Sequence, residues 1–416
     1  MNPKHHDTFS ADKSRTLINT IMAKISKVGK WRTKFIAQTL MLFLLVRGRC
    51  NFANVARYGF CHEHTARRNF ERSFDWFRFN AELIMEHSSE NRINVFDPSF
   101  IPKSRKKTPH VGMFWSGTSG KALSGLEIGG IAMVDLNRNT ALHLEAVQTP
   151  SAKELKEQGK TLVDHYVKIL VDRKDILEKI SKYLVVDGYF GKSKFFDGIL
   201  ENTKLEIITK LRNDADLQYL YRGKQKKGSG RPKKFSGKVD WKNLPPEQWE
   251  TTVIDEDTRL LSAILWSPTL KRELRIVVVQ EMKNGALIRY AVLASSDITL
   301  SPKMIFEYYA SRFQIEFLFR DAKQFAGLTD CQARNENKLD FHFNASLTAV
   351  SVAKVAHFFE TPTESVPTYS LADIGMAYFN EFFADFFFSK LDIEPKSEKI
   401  TAVLPSLLSF GLIHRG

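Results

Sequence analysis

Residues 1–90 show the periodicity of helices, with apolar positions three and four apart and glycines between the segments. The predicted helices are Lys34–Arg47, Asn51–Tyr58 and His64–Arg78, with breaks at Gly48 and Gly59. The most apolar run, Phe35–Val46, contains Gln38 and is too short to span a bilayer. It therefore predicts a buried helix, and we expect no association with a membrane.

Residues 91–212 alternate between short apolar runs typical of strands and longer helical patterns. Two apolar runs each contain one aspartate: Asn94–Phe100 contains Asp97 and Lys182–Phe190 contains Asp187. We expect each run to form a buried strand. Leu126–Asp135 and Thr140–Gln148 are predicted to form a hairpin. Further helical patterns cover Ala152–Leu170, Arg173–Tyr183 and Ser193–Glu201, and Leu205–Arg212 is predicted as a strand.

Residues 213–299 open with a basic, glycine-rich run, Arg222–Lys238, which contains no acidic residue. Four short segments with strand-like composition follow: Glu250–Ile254, Arg259–Trp266, Leu274–Val279 and Ile288–Leu293. A long helix is predicted over Asn335–Phe359. The aromatic stretch from Phe379 to Phe388 could pack on a core or form a dimer interface, and the pattern alone leaves both open.

Tyr309, Arg312, Glu316 and Lys323 are spaced 3, 4 and 7 residues apart, which places them on one stripe of a continuous helix. The stripe sets a carboxylate among an aromatic hydroxyl, a guanidinium and an ammonium. A surface helix with ion pairs between residues one turn apart would show a similar charge pattern.

These four residues form Y-x2-R-x3-E-x6-K, which resembles the motif around the catalytic glutamate in a large group of DDE transposases from bacterial insertion sequences. The resemblance requires two upstream aspartates at the ends of buried strands, and Asp97 and Asp187 meet this requirement. Either aspartate alone could be only a helix or turn cap. The resemblance covers about residues 91–360 of the chain.

The resemblance implies an α/β fold with an RNase H-like mixed-sheet catalytic core, interrupted by a β-rich insertion. In that fold the first and fourth strands are neighbours, which would bring Asp97 and Asp187 together. Asp97, Asp187 and Glu316 would be the catalytic residues and would hold two Mg²⁺ ions, with Mn²⁺ as a substitute. Tyr309, Arg312 and Lys323 would hold DNA phosphates.

The expected organisation follows from these patterns. The predicted regions are residues 1–90, a helical DNA-binding region; 91–212, the first part of the core; 213–299, the basic β-rich insertion; 300–360, the second part of the core with the glutamate helix; and 361–416, a C-terminal helical region with a possible role in dimerisation.

Composition agrees with a nucleic-acid partner. The chain has 61 Lys and Arg against 47 Asp and Glu, a formal net charge of +14, which favours binding to a polyanion. Two short helices around Gly59 resemble a helix-turn-helix, although a bundle with a solvated basic face would look similar. The basic run of the insertion could equally be a solvated linker. The candidate DNA contacts are Arg67, Arg68, Arg72, Lys103, Arg222, Lys226, Lys227, Arg231, Lys233 and Lys234.

The resemblance implies the function of a transposase. We expect it to bind the terminal inverted repeats of its insertion sequence as a homodimer, cleave the double-stranded ends and join the 3′ hydroxyls to target DNA. A metal-dependent nuclease and a catalytically silent DNA-binding protein are the alternatives. Three cysteines without a framework favour a reducing compartment, which fits a cytoplasmic, nucleoid-associated protein of a bacterium.

Two further features of the sequence bear on contact with DNA. Residues 116–121, SGTSGK, lack the first glycine and the final Ser or Thr of a phosphate-binding loop, so we predict a flexible loop near the DNA instead. Trp241, Trp249 and Trp266 are candidates to stack on an unpaired base, although tryptophan in a small β domain is more often part of the core.

Overall fold

The computed structural model describes residues 9–26, 28–59, 61–104, 107–225, 228, 231–359, 369–394 and 397–413. The first helices are α1 (Ala11–Lys24), α2 (Lys30–Leu45), α3 (Phe52–Tyr58), α4 (Glu63–Phe70) and α5 (Trp76–His87). The single helix predicted over His64–Arg78 is wrong, because the chain leaves the helix after Phe70 and starts a new one. The Asp75 carboxylate caps that new helix by accepting a hydrogen bond from the Arg78 amide at 2.9 Å.

The middle of the chain follows the predicted alternation of strands and helices. Its elements are β1 (Arg92–Pro102), β2 (Gly112–Ser116), β3 (Lys121–Asp135), β4 (Thr140–Gln148), α6 (Ala152–Glu157), α7 (Leu162–Val171), α8 (Lys174–Ile180), β5 (Tyr183–Val185), α9 (Ser193–Leu200) and β6 (Glu206–Leu211). The predicted hairpin is confirmed, with Asp135 paired to Thr140. The helical pattern predicted over Ala152–Leu170 forms two helices, because Thr161 and Asp164 form a capping box that starts α7.

The remaining elements are β7 (Gln218–Leu220), β8 (Phe235–Lys238), β9 (Glu250–Val253), β10 (Thr258–Ser267), β11 (Arg272–Lys283), β12 (Ala286–Ser295), α10 (Pro302–Ser311), α11 (Gln314–Phe325), α12 (Glu336–Lys354), α13 (Leu371–Leu391) and α14 (Glu398–Leu408). The four strand-like segments predicted after residue 249 correspond to β9, β10, β11 and β12. The result is a mixed α/β fold, as predicted. No helix in the described ranges is long and apolar enough to cross a membrane.

The chain divides into two compact units. One comprises residues 1–90, 98–151 and 315–416, and the other comprises residues 91–97 and 152–314. The first boundary falls inside β1, after Asp97, and the last falls inside the first turn of α11, after Gln314.

The first unit contains helices and the antiparallel hairpins. Here β3 lies between the C-terminal half of β1 on one side and β2 and β4 on the other. Helix α12 packs on β4 and α2, and it is buried along nearly its whole length. The buried Asn344 side chain fixes this contact, because its Oδ1 accepts the Ala146 amide at 2.8 Å and its Nδ2 donates to the Ala146 carbonyl at 3.0 Å.

The second unit is built on a mixed sheet with the strand order β1–β5–β6–β12–β11–β10–β7–β8, with β9 also paired to β10. Strands β1, β5 and β6 run parallel, while β12 pairs with β6 antiparallel, from Val292 opposite Leu211 to Ser295 opposite Ile208. Residues 213–299 therefore extend the same sheet as β5 and β6, and they fall in the same compact unit.

Candidate active site

Asp97 lies in the interior of β1. The strand predicted over Asn94–Phe100 is present and longer, because β1 covers Arg92–Pro102 and passes through Pro98. Proline fixes φ at a value that an extended strand tolerates, so it removes one N–H donor without ending the strand. The Arg312 Nη1 atom lies 3.3 Å from Asp97 Oδ1, and the two side chains are only 12% and 17% exposed.

Asp187 follows β5 by two residues. The strand covers only Tyr183–Val185, shorter than the predicted Lys182–Phe190, because a 3₁₀ turn begins at Gly188. The Asp187 carboxylate accepts a hydrogen bond from the Tyr189 amide at 3.0 Å, and so it also caps this turn. Thr209 fixes the backbone here by donating from Oγ1 to the Asp187 carbonyl at 2.7 Å.

Strand pairing places the two aspartates at equivalent positions. Asn94 pairs with Leu184 and Val95 with Val185 in the parallel ladder between β1 and β5. Each aspartate follows its paired valine by two residues, so Asp97 and Asp187 occupy matching positions on neighbouring strands. The strands of Asp97 and Asp187, predicted as the first and fourth of the core, are therefore neighbours as expected, and in the structure they are β1 and β5.

Burial and nearby cations set the ionisation of this pair. Burial raises the pKa of Asp187 above its ordinary value, and the positive charges of Arg312 and Lys192 partly oppose that rise. Arg312 thus acts on both carboxylates. Lys192 was not among the predicted site residues, and the signal in the sequence was only a cation five residues after Asp187.

The four-residue motif is divided between two helices and the turn that joins them. The continuous helix predicted through Tyr309 and Lys323 is wrong, because α10 ends at Ser311 and α11 begins at Gln314, with a turn at Arg312 and Phe313. In the second unit, the Arg312 guanidinium carbon lies 5.8 Å from the centre of the Tyr309 ring, a cation–π contact that helps to orient the guanidinium.

Glu316 and Lys323 belong to the first unit, on α11. Glu316 is half-buried in the first turn of the helix, next to the fully buried Ile315. Lys323 donates from Nζ to the Ser99 hydroxyl at 3.0 Å, and Ser99 follows Asp97 by two residues along β1. Ser99 is a partner that the sequence motif did not indicate.

Asp97 and Asp187 belong to the same unit and lie at matching positions of the neighbouring strands β1 and β5. Within the described residues, no group of three or more His, Cys, Asp or Glu side chains is arranged to hold a metal ion. Carboxylate oxygens are nevertheless the ligand type that Mg²⁺ prefers, so the two aspartates fit a divalent-metal site in the kind of ligand they supply.

The predicted basic DNA contacts of the first unit differ in exposure and in their partners. Arg67, Arg68 and Arg72 are exposed, but Arg72 lies beyond the end of α4, and Arg67 is paired to Glu63 and stacked over the Phe52 ring. Lys103 is half-buried and donates to the Cys331 carbonyl, which gives it a structural contact.

The basic run of the insertion follows β7 and ends with β8. Its described cations Arg222, Arg231, Lys233 and Lys234 are all exposed. Gln225 connects the two sides of this segment, because its side chain exchanges hydrogen bonds with the Lys233 backbone at 2.8 and 3.0 Å. Lys226 and Lys227 lie outside the described residues.

Of the three insertion tryptophans, Trp249 is buried and donates from Nε1 to the Tyr219 hydroxyl at 3.0 Å, so it is a core residue and not a surface for bases. Trp266 is half-buried against the Phe235 ring, and Trp241 donates to the Ala215 carbonyl. The residues 116–121, for which a flexible loop was predicted, form a tight turn between β2 and β3, with Gly120 at φ +60°.

Comparison with known proteins identifies the class. Residues 93–351 match the family of the transposase DDE domain, which is more than half of the chain, and the protein therefore belongs to that family. No curated protein matches the chain. Among solved structures, it is similar to a piggyBac transposase in a synaptic complex with hairpin DNA, with 12% identity, 98% of this chain and 84% of that chain covered, and a TM-score of 0.41.

Proposed function

We propose that this chain is an active DDE transposase whose catalytic residues are Asp97, Asp187 and Glu316. The observation that carries the proposal is the matched position of Asp97 and Asp187 on neighbouring parallel strands, with one guanidinium acting on both. If Asp97 and Asp187 only capped turns, they would not need to lie at matching strand positions or to share the influence of one cation. The parallel pairing of β1 with β5 and of β5 with β6 also supports an RNase H-like core.

The three proposed carboxylates would hold Mg²⁺. When bound, the metal would polarise the scissile phosphate and make a water or a 3′ hydroxyl more nucleophilic. Arg312 pairs with Asp97 in the protein alone, and it would hold a DNA phosphate once the carboxylates bind the metal. Lys323, whose Nζ donates a hydrogen bond to the Ser99 hydroxyl on β1, would supply a second phosphate contact.

The substrate in this proposal is the double-stranded end of the element that encodes the protein. Binding would rest on exposed cations, among them Arg67, Arg68 and Arg72 and the described lysines and arginines of the insertion, because counterion release drives affinity for DNA. A homodimer would pair two such ends, cut each and join it to target DNA. An element of bacterial insertion-sequence type and a cytoplasmic site of action complete the proposal.

The test is cleavage of a labelled duplex that carries the element's own end, with Mg²⁺ present. We expect nicks or hairpins at the end with the unmodified protein and none with Asp187→Asn or Glu316→Gln, while all three bind the duplex. Asp164→Asn is the matched control, because Asp164 is a carboxylate of the same unit that pairs with Lys194 on the surface, and it should leave cleavage intact.

The products separate the three candidate functions. Cleavage followed by joining to a second duplex supports a transposase, whereas cleavage without any joining would favour a nuclease. Binding without metal-dependent cleavage on a verified end sequence would refute the catalytic assignment and leave a DNA-binding protein.

A further inference from the structure

The matched positions of Asp97 and Asp187 form a row across neighbouring strands, and this row continues onto β6. In the parallel ladder between β5 and β6, Val185 pairs with Ile208. Lys210 follows Ile208 by two residues, just as Asp187 follows Val185, so Lys210 takes the matching position on β6. Residues at matching positions of parallel strands point to the same face of the sheet. Asp187 therefore lies between Asp97 on β1 and Lys210 on β6.

Contacts beyond the end of β5 keep the following turn against β6. The Val186 amide donates to the Ile208 carbonyl at 3.0 Å. A Cβ atom added at Gly188 would lie 3.1 Å from the Lys210 carbonyl oxygen and 3.9 Å from the Lys210 Cβ atom. The Lys210 side chain itself is exposed. Its ammonium is thus carried by a strand position that is fixed next to Asp187, while the group itself is open to solvent.

A second cation follows the same turn. Lys192 comes two residues after the 3₁₀ turn Gly188–Phe190, and its Nζ lies 3.4 Å from the centre of the Tyr189 ring. This cation–π contact orients the ammonium, and the amide of the same tyrosine donates to the Asp187 carboxylate at 3.0 Å. The positive charge of Lys192 also opposes the rise in the pKa of Asp187 that burial causes. Lys192 is therefore held near the same carboxylate as Lys210.

Neither lysine is neutralised by the part of the protein that the structure describes. Both side chains are exposed, and among the described residues neither ammonium forms an ion pair with a carboxylate. Arg212, two residues beyond Lys210, differs, because its Nε and Nη2 donate to the two carboxylate oxygens of Asp214, both at 2.9 Å. An ordinary solvated lysine needs no fixed position, whereas Lys210 is placed by its strand and Lys192 by an aromatic ring. Two oriented positive charges beside the aspartates are suited to an anion from outside the protein.

We propose that Lys192 and Lys210 bind DNA phosphates next to the phosphate that is cut. This inference rests on the proposed function and adds two substrate contacts to it. Neighbouring strands are about 4.8 Å apart, so Lys210 lies one strand beyond Asp187, in the direction away from Asp97. With the scissile phosphate at the aspartates, a lysine on the next strand would meet a neighbouring phosphate of the same DNA strand. An ammonium binds phosphate as a point charge with three donors, so these contacts would not depend on the base sequence.

The experiment measures the affinity of the full chain, without metal, for a duplex that carries the element's own end. Single methylphosphonates, each of which removes the charge of one phosphate, are placed in turn along the strand. Lys192→Ala and Lys210→Ala should each weaken binding of the unsubstituted duplex about fivefold and lower the salt dependence by about one phosphate contact. A methylphosphonate within two nucleotides of the element's terminus, where the proposed cut falls, should weaken binding by the unmodified protein about fivefold. It should have no further effect on the variant that lacks the contacting lysine.

Lys210→Arg should keep both the affinity and the methylphosphonate effect, because it keeps the charge. Arg212→Ala is the matched control, since Arg212 is exposed close to Lys210 but paired with Asp214, and it should show the same methylphosphonate effects as the unmodified protein.

The proposal would be overturned if both alanine variants kept the full methylphosphonate effect at every position. Loss of the effect only at phosphates far from the terminus would also overturn it, because it would indicate a general basic surface. Metal-dependent cleavage with the Asp187→Asn control tests the proposed function separately. A cleaving protein whose lysine variants keep every methylphosphonate effect would refute this inference alone, and lost effects at the terminus without any cleavage would refute only the catalytic assignment.

Discussion

Removing Arg312 should destabilise the metal-free protein through the loss of one partly buried ion pair. Arg312 and Asp97 are 12% and 17% exposed, with 3.3 Å between Nη1 and Oδ1. At an effective dielectric constant of about 20, the attraction over this distance is roughly 5 kcal/mol before desolvation. A charge-assisted hydrogen bond retains about 1.5–3 kcal/mol after desolvation, and the long distance favours the lower end of that range.

The measurement is a double-mutant cycle on the free energy of unfolding in urea, with Arg312→Ala, Asp97→Asn and the double variant at pH 7 without metal. We expect a coupling of about 1–2 kcal/mol between the two positions. Arg312→Ala should also raise the pKa of Asp187 further, because it removes the largest influence that opposes the effect of burial.

The matched control is the pair of Arg67 and Glu63, one helical turn apart, whose side chains are 46% and 43% exposed. Because solvent screens exposed charges, its coupling should be only about 0.3–0.5 kcal/mol. If the two cycles gave the same small coupling, the ion pair in the proposed site would hold the aspartates no better than a surface contact does. The reasoning about Arg312 would then be refuted.

Three further predictions concern pH, packing and the core tryptophan. Burial raises the pKa of Asp187 in the folded protein above its ordinary value of 3.8, so between these two values the folded state binds more protons than the unfolded state. The free energy of unfolding should therefore fall as the pH rises from about 3.8 through the raised pKa. Asp187→Asn should flatten this slope in a series of urea titrations at different pH. Gly125→Ala should lower the free energy of unfolding by about 1–3 kcal/mol, because its methyl group would overlap the Phe100 ring; an unchanged thermal midpoint would contradict the close approach. Trp249→Phe should lower the free energy of unfolding by about 1–3 kcal/mol, because the Tyr219 hydroxyl loses its donor. Its affinity for DNA in a filter-binding assay should be unchanged. Weaker DNA binding by the folded variant would indicate that Trp249 contacts DNA.

The sequence alone determined the elements whose formation depends on neighbours along the chain. The alternation of apolar residues in Leu126–Asp135 and Thr140–Gln148 predicts the hairpin that the structure contains. The apolar runs before Asp97 and Asp187 likewise predict two strands, because a buried strand needs such a run whatever it pairs with. Helix boundaries were less predictable, since the caps at Thr161 and Asp75 override a continuous helical pattern.

Only the tertiary structure decided which residues meet. Arg312 and Asp97 are 215 residues apart in sequence, and Lys323 and Ser99 are 224 apart, so no local pattern reports either contact. The same holds for burial: Trp249 is enclosed while Trp115 faces solvent, and the residues beside them in sequence indicate neither outcome. Periodicity gives the face on which a side chain lies, but whether another element covers that face depends on distant segments of the chain.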